Sequence, residues 1–177
     1  MLRVVGGKYR SRKLEQPPLE ITRPTKDVVK EAMFNSLGDL SGKSFLDCFG
    51  GSGAIGIEAY SRGACEVVII EQNKSAYKII SKNLKTLGID DIKILNISFD
   101  EYLRRDEPFD FVFIDPPYKY EINDDFLEKL FKKRIVGEKT VIIIERDENL
   151  DENYFSVFSV KKKKYGRTYL YILRKNI

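Results

Sequence analysis

Asp115-Pro116-Pro117-Tyr118 closes the largely apolar run 109–114, and its residue types suit one kind of chemistry. A buried strand ending this way offers a carboxylate, carbonyls beside residues that have no N–H, and an aromatic face. A flat ring bearing an amine, such as a nucleobase, needs those three things. Asp115 and the Pro116 carbonyl can accept the two hydrogens of an exocyclic amine. Tyr118 can stack on the ring, which is typically worth ~1–3 kcal/mol per base. Asp115, Pro116, Pro117 and Tyr118 are therefore the candidate catalytic residues.

A second constellation lies upstream. Asp47-Cys48-Phe49-Gly50-Gly51-Ser52-Gly53 places a glycine loop between an apolar run and a helical pattern. Residues 51–56 match the dinucleotide pattern GxGxxG, and Glu71 lies about twenty residues on, where a ribose-binding acid belongs. A nicotinamide or flavin dinucleotide is one reading. Against it, Asp47 would repel a pyrophosphate, the loop follows a basic arm and a helix, and no hydride-transfer site is evident downstream. S-adenosylmethionine fits better: its ammonium would meet Asp47 and its ribose hydroxyls would meet Glu71 through charge-assisted hydrogen bonds. A phosphate-binding P-loop is excluded, because no Lys-Ser/Thr follows the glycines.

Composition narrows the chemistry further. The 177 residues contain no histidine, which removes Ser-His-Asp catalysis, histidine bases and histidine metal ligands. Cys48 and Cys65 have no metal-site spacing, so no metal is expected, and both read as buried reduced thiols. The net charge is only +4, but it is unevenly placed. Arg3, Lys8, Arg10, Arg12 and Lys13 occur with no acid among the first thirteen residues. Lys161, Lys162, Lys163, Lys164 and Arg167 form a second basic block. Two such blocks beside a base pocket point to a polyanion partner bound through its phosphates. Without a signal-like stretch or long apolar span, the expectation is a soluble cytoplasmic protein with no membrane contact.

The elements that must position these residues follow from periodicity. Residues 2–5 and 8–14 flank Gly6-Gly7 as a basic hairpin or arm. A helix follows with Val29, Met33 and Leu37 on one face, Thr25 as its N-cap and Gly38 as its stop. From residue 44 apolar strands alternate with amphipathic helices: strands at 44–49, 67–71, 92–97, 109–115 and 140–145, and helices at 54–62, around 76–87 and around 126–131. Strands at 154–160 and 168–173 then form an antiparallel hairpin around 165–167. This predicts an α/β, doubly wound sheet of seven strands, mostly parallel, with an antiparallel end. One domain is expected over 1–177, with the arm and first helix in 1–40 and the Rossmann-like core in 41–177.

Together these residues resemble the class I methyltransferases, and more narrowly the bacterial 16S rRNA guanine-N2 methyltransferase family (RsmD type). The resemblance runs through Val4-Val5-Gly6-Gly7, Arg10, Arg12, Thr22-Arg23-Pro24-Thr25, Glu31-Ala32-Met33-Phe34-Asn35, the loop from Leu46 to Ala59, Glu71 and the proline tetrapeptide. After Asp27 the family commonly has Arg-Val-Arg, whereas here Val28-Val29-Lys30 stands. The resemblance implies a cofactor site made of Asp47, Phe49, Gly50, Gly51, Ser52, Gly53, Glu71, Gln72, Ser98 and Phe99, with Arg23 and Thr25 near it. It implies methyl transfer to guanine N2 in 16S rRNA, naked or in an assembling small subunit, by a chain small enough to act as a monomer. An adenine-N6 methyltransferase and a nucleic-acid-binding protein without turnover stay open at this point.

Overall fold

The computed structural model describes residues 1–19, 25–102, 108–117 and 120–176. Among these residues seven strands, β1 (Ser44–Asp47), β2 (Glu66–Ile70), β3 (Ile92–Leu95), β4 (Phe111–Ile114), β5 (Val141–Arg146), β6 (Phe158–Tyr165) and β7 (Thr168–Lys175), form a mixed sheet in the order β3-β2-β1-β4-β5-β7-β6. The chain packs as two compact units, Met1–Tyr102 and Leu103–Ile177. The division falls inside the stretch 41–177 expected to form one core.

In the first unit, β1 (Ser44–Asp47), β2 (Glu66–Ile70) and β3 (Ile92–Leu95) are parallel, with Ser44 level with Glu66 and Val67 level with Ile92. β1 is buried at every position, as a strand covered on both faces must be. Helix α1 spans Asp27–Leu37, α2 Ala54–Ser61 and α3 Lys74–Leu87. Gly38 ends α1 with φ 83°, as its position suggested. The N-cap is Lys26 rather than Thr25, and the Lys26 side chain makes no capping hydrogen bond. On α3, the Asn73 side chain accepts from the N–H groups of Ser75 and Ala76, and Gly88 closes the helix with a left-handed φ of 66°.

The basic arm docks on the end of α2 through its backbone. One bridge joins Arg3 and Lys13. Lys8 N–H donates to the Ser61 carbonyl at 2.7 Å, and the Ser61 hydroxyl donates to the Gly6 carbonyl at 2.6 Å. A Cβ at Gly7 would lie 1.9 Å from the Ser61 oxygen, and Gly7 also has φ +73°. Gly7→Ala should therefore cost at least ~2 kcal/mol, since the left-handed backbone alone costs about 1–3 kcal/mol. Urea unfolding would register this as a lower midpoint, and an unchanged midpoint would show that the arm is not held here.

A buried charge cluster fastens the arm to both helices. Lys30 and Glu58 are each 0% exposed. Glu58 accepts from Val5 N–H at 2.8 Å and Arg62 Nε at 2.8 Å, and lies 3.9 Å from Lys30 Nζ, which donates to the Arg3 carbonyl. Burial depresses the Lys30 ammonium below its ordinary range, while Glu58 and Asp27 pull it back up. Lys30, the last residue of Val28-Val29-Lys30, thus supplies the cation that meets the buried Glu58.

In the second unit, β4 (Phe111–Ile114) and β5 (Val141–Arg146) are parallel, with Phe111 level with Val141. β7 (Thr168–Lys175) pairs antiparallel with β5 and with β6 (Phe158–Tyr165). Helix α4 (Asp124–Lys132) is capped by Asn123, with acids in its first turn and lysines in its last, complementing the helix dipole. The expected strand at 154–160 is displaced. Residues 152–155 form a short 3₁₀ turn anchored by buried Phe155, and β6 instead runs through the lysine block to Tyr165. Cys48 is buried, but Cys65 is exposed, correcting the expectation of two buried thiols.

Candidate functional site

In the first unit the expected cofactor residues gather at the carboxyl ends of β1, β2 and β3. Asp47, the last residue of β1, is 1% exposed, and neither carboxylate oxygen has a hydrogen-bonding partner among the described residues. Burial pushes its carboxyl up to about 7. The N–H groups of Phe49 and Gly56 partly offset this, without closing a hydrogen bond. Glu71 adds to the upward shift. A buried, unpartnered carboxylate is rare because it is costly, and it is stabilised by a cation.

The loop after Asp47 is shaped by its glycines. Gly51 and Gly53 take φ of +56° and +78°. Gly50 donates to the Ile70 carbonyl at 2.7 Å, and a Cβ on it would meet the Ile69 side chain at 2.4 Å. Glu71, just past β2, accepts from Gly51 N–H and from Asn73 N–H, both at 2.7 Å. It is thereby fixed to the loop and to the start of α3. Each oxygen keeps a lone pair for a hydroxyl donor. Its carboxyl is also raised, chiefly by burial.

Three findings around this loop were absent from the sequence reading. Asn83, buried on α3, donates to the Ser52 carbonyl at 3.1 Å and to the Glu15 carbonyl at 2.9 Å, tying the loop to the chain after the arm. Asn96 donates to the carbonyls of Glu71 and Gln72 at 2.8 and 3.1 Å, fixing the β2 end against the β3 end. Gln72 itself is exposed. The Ser98 hydroxyl caps the short turn 99–101: it accepts from Glu101 N–H and donates to the Glu101 carboxylate at 2.8 Å. That engages a hydroxyl expected to line the cofactor site. Phe99 is buried with its ring centroid 5.5 Å from that of Phe49, so these two expected residues pack on one another. Thr25 is half-buried just before α1, and Arg23 lies outside the described residues.

The second unit carries the tetrapeptide. Asp115 is half-buried at the end of β4, Pro116 is buried and Pro117 exposed, while Tyr118 lies outside the described residues. The two carbonyls are not as free as the absence of neighbouring N–H groups suggested. Arg146 Nη1 is 3.4 Å from both the Pro116 and the Pro117 oxygen, and Tyr120 N–H donates to the latter at 2.9 Å. Arg146 is only 5% exposed, and no periodicity marks it as functional.

Of the basic residues, Lys8, Arg10, Arg12 and Lys13 are exposed on the arm, while Arg3 pairs with Asp27 at 2.8 Å. The lysine block alternates along β6. Lys162 and Lys164 lie over the Tyr169 ring at 5.6 and 4.9 Å, and Lys162 also pairs with Glu152 at 2.8 Å. Because β6 ends the sheet order, its lysines also discourage pairing with another edge. Arg167 is exposed in the turn between β6 and β7. Among the described residues no group of three or more His, Cys, Asp or Glu could hold a metal ion, and no helix is long and apolar enough to cross a membrane.

A strand, a glycine loop, a helix, an acid after the second strand and an antiparallel pair at one end of the sheet define a Rossmann-like class I methyltransferase. The family model described as Conserved hypothetical protein 95 matches residues 2–174. The chain belongs to that family, which includes ribosomal RNA small subunit methyltransferase D. It is 33% identical to the Escherichia coli K12 protein of that name over 148 residues, covering 82% of this chain and 75% of the relative. The solved structure of the Escherichia coli protein yhhF superimposes with a TM-score of 0.82 at 29% identity, covering 98% of each chain. A Thermus thermophilus 16S rRNA N2 methyltransferase in complex with AdoMet and guanosine shares the fold, with a TM-score of 0.69 and 21% identity. That match covers 88% of this chain and 44% of the other.

Proposed function

We propose that this protein transfers a methyl group from S-adenosylmethionine to the exocyclic N2 amine of a guanine in 16S rRNA, and that the whole chain acts as one catalytic domain in the cytoplasm. The carrying observation is Asp47, whose buried carboxylate lacks a hydrogen-bonding partner among the described residues. An ammonium would supply one. A pyrophosphate at 4 Å would instead be repelled by about 4 kcal/mol per charge at an effective dielectric of 20, which disfavours a dinucleotide. S-adenosylmethionine brings an ammonium for Asp47, ribose hydroxyls for Glu71 and an electrophilic methyl on its sulfonium.

The chain's own residues then have separable tasks. Asp47 and Glu71 bind, and Asn83 and Asn96 keep the loop and strand ends in register. Asp115 and the Pro116 carbonyl accept the two N–H groups of the target amine and stabilise the positive charge that develops on its nitrogen. This requires no base titrating near neutrality, consistent with a chain that has no histidine. Tyr118 is assigned the stacking face. The target base must be unpaired or extruded for its amine to be reached.

Lys8, Arg10, Arg12, Lys13, Lys161, Lys163, Lys164 and Arg167 are assigned to phosphates. Each phosphate neutralised on a single strand should contribute about −0.7 to the slope of log K against log salt. Substituting Lys161 and Lys163 by Gln should reduce that slope by about 1.4, read by filter binding at several salt concentrations. An unchanged slope would leave the β6 lysines with edge protection alone.

Transfer of labelled methyl to small ribosomal subunits from cells lacking this activity, followed by nucleoside analysis, tests the reading. Label in N2-methylguanosine is expected. Label in N6-methyladenosine would retain the chemistry and change the base. No label, with no calorimetric binding of S-adenosylmethionine, would remove the proposal.

A further inference from the structure

We infer that Arg146, held by Glu148, is a positioning residue that fixes the two proline carbonyls and leaves only that of Pro116 able to accept from the target amine. The inference rests on the transferase reading above. Two consecutive prolines have no N–H, so their peptide planes cannot be pinned by a strand ladder through their own donors. Another part of the chain must do it. The parallel register sets Ile114, the last residue of β4, level with Ile144, and Pro116 and Arg146 each follow two residues further along the chain.

The guanidinium there has two sides. Nη1 lies 3.4 Å from the Pro116 oxygen and 3.4 Å from the Pro117 oxygen. Nε donates to Glu148 Oε1 at 3.1 Å, and Nη2 contacts the same oxygen. The planar fork can therefore bridge both carbonyls while its orientation is set from behind. A carbonyl oxygen has two lone pairs. That of Pro117 is taken by Arg146 and by Tyr120 N–H at 2.9 Å, whereas among the described residues that of Pro116 meets Arg146 alone and keeps one. The Glu148 carboxylate has an electrostatic task as well. A bare guanidinium beside the Pro116 oxygen would oppose the positive charge that this oxygen must stabilise on the amine, and pairing with Glu148 offsets it.

Arg146→Met, Arg146→Lys and Glu148→Gln would be compared with Asp115→Ala in methyl transfer to small-subunit particles, with calorimetric S-adenosylmethionine binding and thermal unfolding measured alongside. Arg146→Met should lower kcat between about tenfold and a hundredfold, the range expected for displacing a reacting group by up to an ångström. The KM for the particle and the Kd for the cofactor should stay put. Arg146→Lys, which keeps charge but not the fork, should recover only part of the rate. Glu148→Gln should lower kcat several-fold. A wild-type kcat in Arg146→Met overturns the inference, as does a loss of rate matched by a loss of cofactor affinity. If Arg146→Met does not fold, wild-type rates in both other variants overturn it. Should the wild-type protein neither transfer methyl nor bind S-adenosylmethionine, the transferase reading itself fails; if the wild type is active, Asp115→Ala dead and Arg146→Met fully active, only the role of Arg146 falls.

Discussion

Asp115→Ala should abolish methyl transfer, lowering kcat by about a hundredfold or more, while S-adenosylmethionine binds as before. The size of the effect follows from where the interaction acts. A nucleobase amine is a poor nucleophile because its lone pair is delocalised into the ring, and its nitrogen gains positive charge only as the bond to the methyl forms. An oxygen placed to accept its N–H therefore strengthens its interaction in the transition state, and removing one such preorganised group costs about 10²–10³ in rate. Asp115 sits at the end of β4, a strand buried at all four positions, so the carboxylate is carried on a rigid element. Asp115→Asn keeps an acceptor oxygen but loses the charge, and its rate should lie between the two. Single-turnover transfer of labelled methyl measures this directly. A rate for Asp115→Ala within a few-fold of wild type would remove Asp115 from the chemistry.

Asp47→Asn should have opposite effects on binding and stability. It removes the charge that meets the cofactor ammonium, so cofactor affinity should fall at least about tenfold, a loss ordinary for a charge-assisted hydrogen bond. In the absence of cofactor, the same change should stabilise the protein at pH 8. An unfolded aspartate ionises near 3.8, and the buried Asp47 near 7. Between those values the folded chain holds a proton that the unfolded chain has released, so raising the pH through this window lowers stability. The loss is complete above the folded value and amounts to as much as roughly 4 kcal/mol at 1.36 kcal/mol per pH unit. Asparagine does not titrate and should flatten that slope, although its amide is still desolvated and recovers only part. Urea unfolding at pH 5 and pH 8, with and without S-adenosylmethionine, separates the effects. Wild-type stability that rises from pH 5 to 8 without cofactor, or an Asp47→Asn protein with unchanged affinity, would contradict this account of the loop.

These expectations rest on features of unequal legibility. The glycine loop could be read because its requirements are local: a strand must turn into a helix within a few residues, and left-handed φ at Gly51 and Gly53 favours glycine. The helix ends marked by Gly38 and Gly88 were readable for the same reason. The start of β6 was not. Lysine has little preference for strands, and the block reads as solvated loop until β7 is seen to pair with it residue by residue from Phe158 to Tyr165. Ser98 illustrates a smaller difference. Its position was expected in the cofactor site, yet a glutamate three residues on forms a capping box with it.

The sequence by itself determined the alternation of strands and helices, the acid-flanked glycine loop and the proline tetrapeptide, because periodicity, turn chemistry and missing donors act within a few residues. Only the tertiary structure decided which polar groups have partners. Asp47 is left without one among the described residues, Glu58 and Lys30 bury their charges together, Asn83 reaches Glu15 across 68 positions, and Arg146 reaches the prolines across about thirty. Such pairings are set by how buried elements are stacked, since a desolvated polar group must take whatever partner the packing brings within about 3 Å.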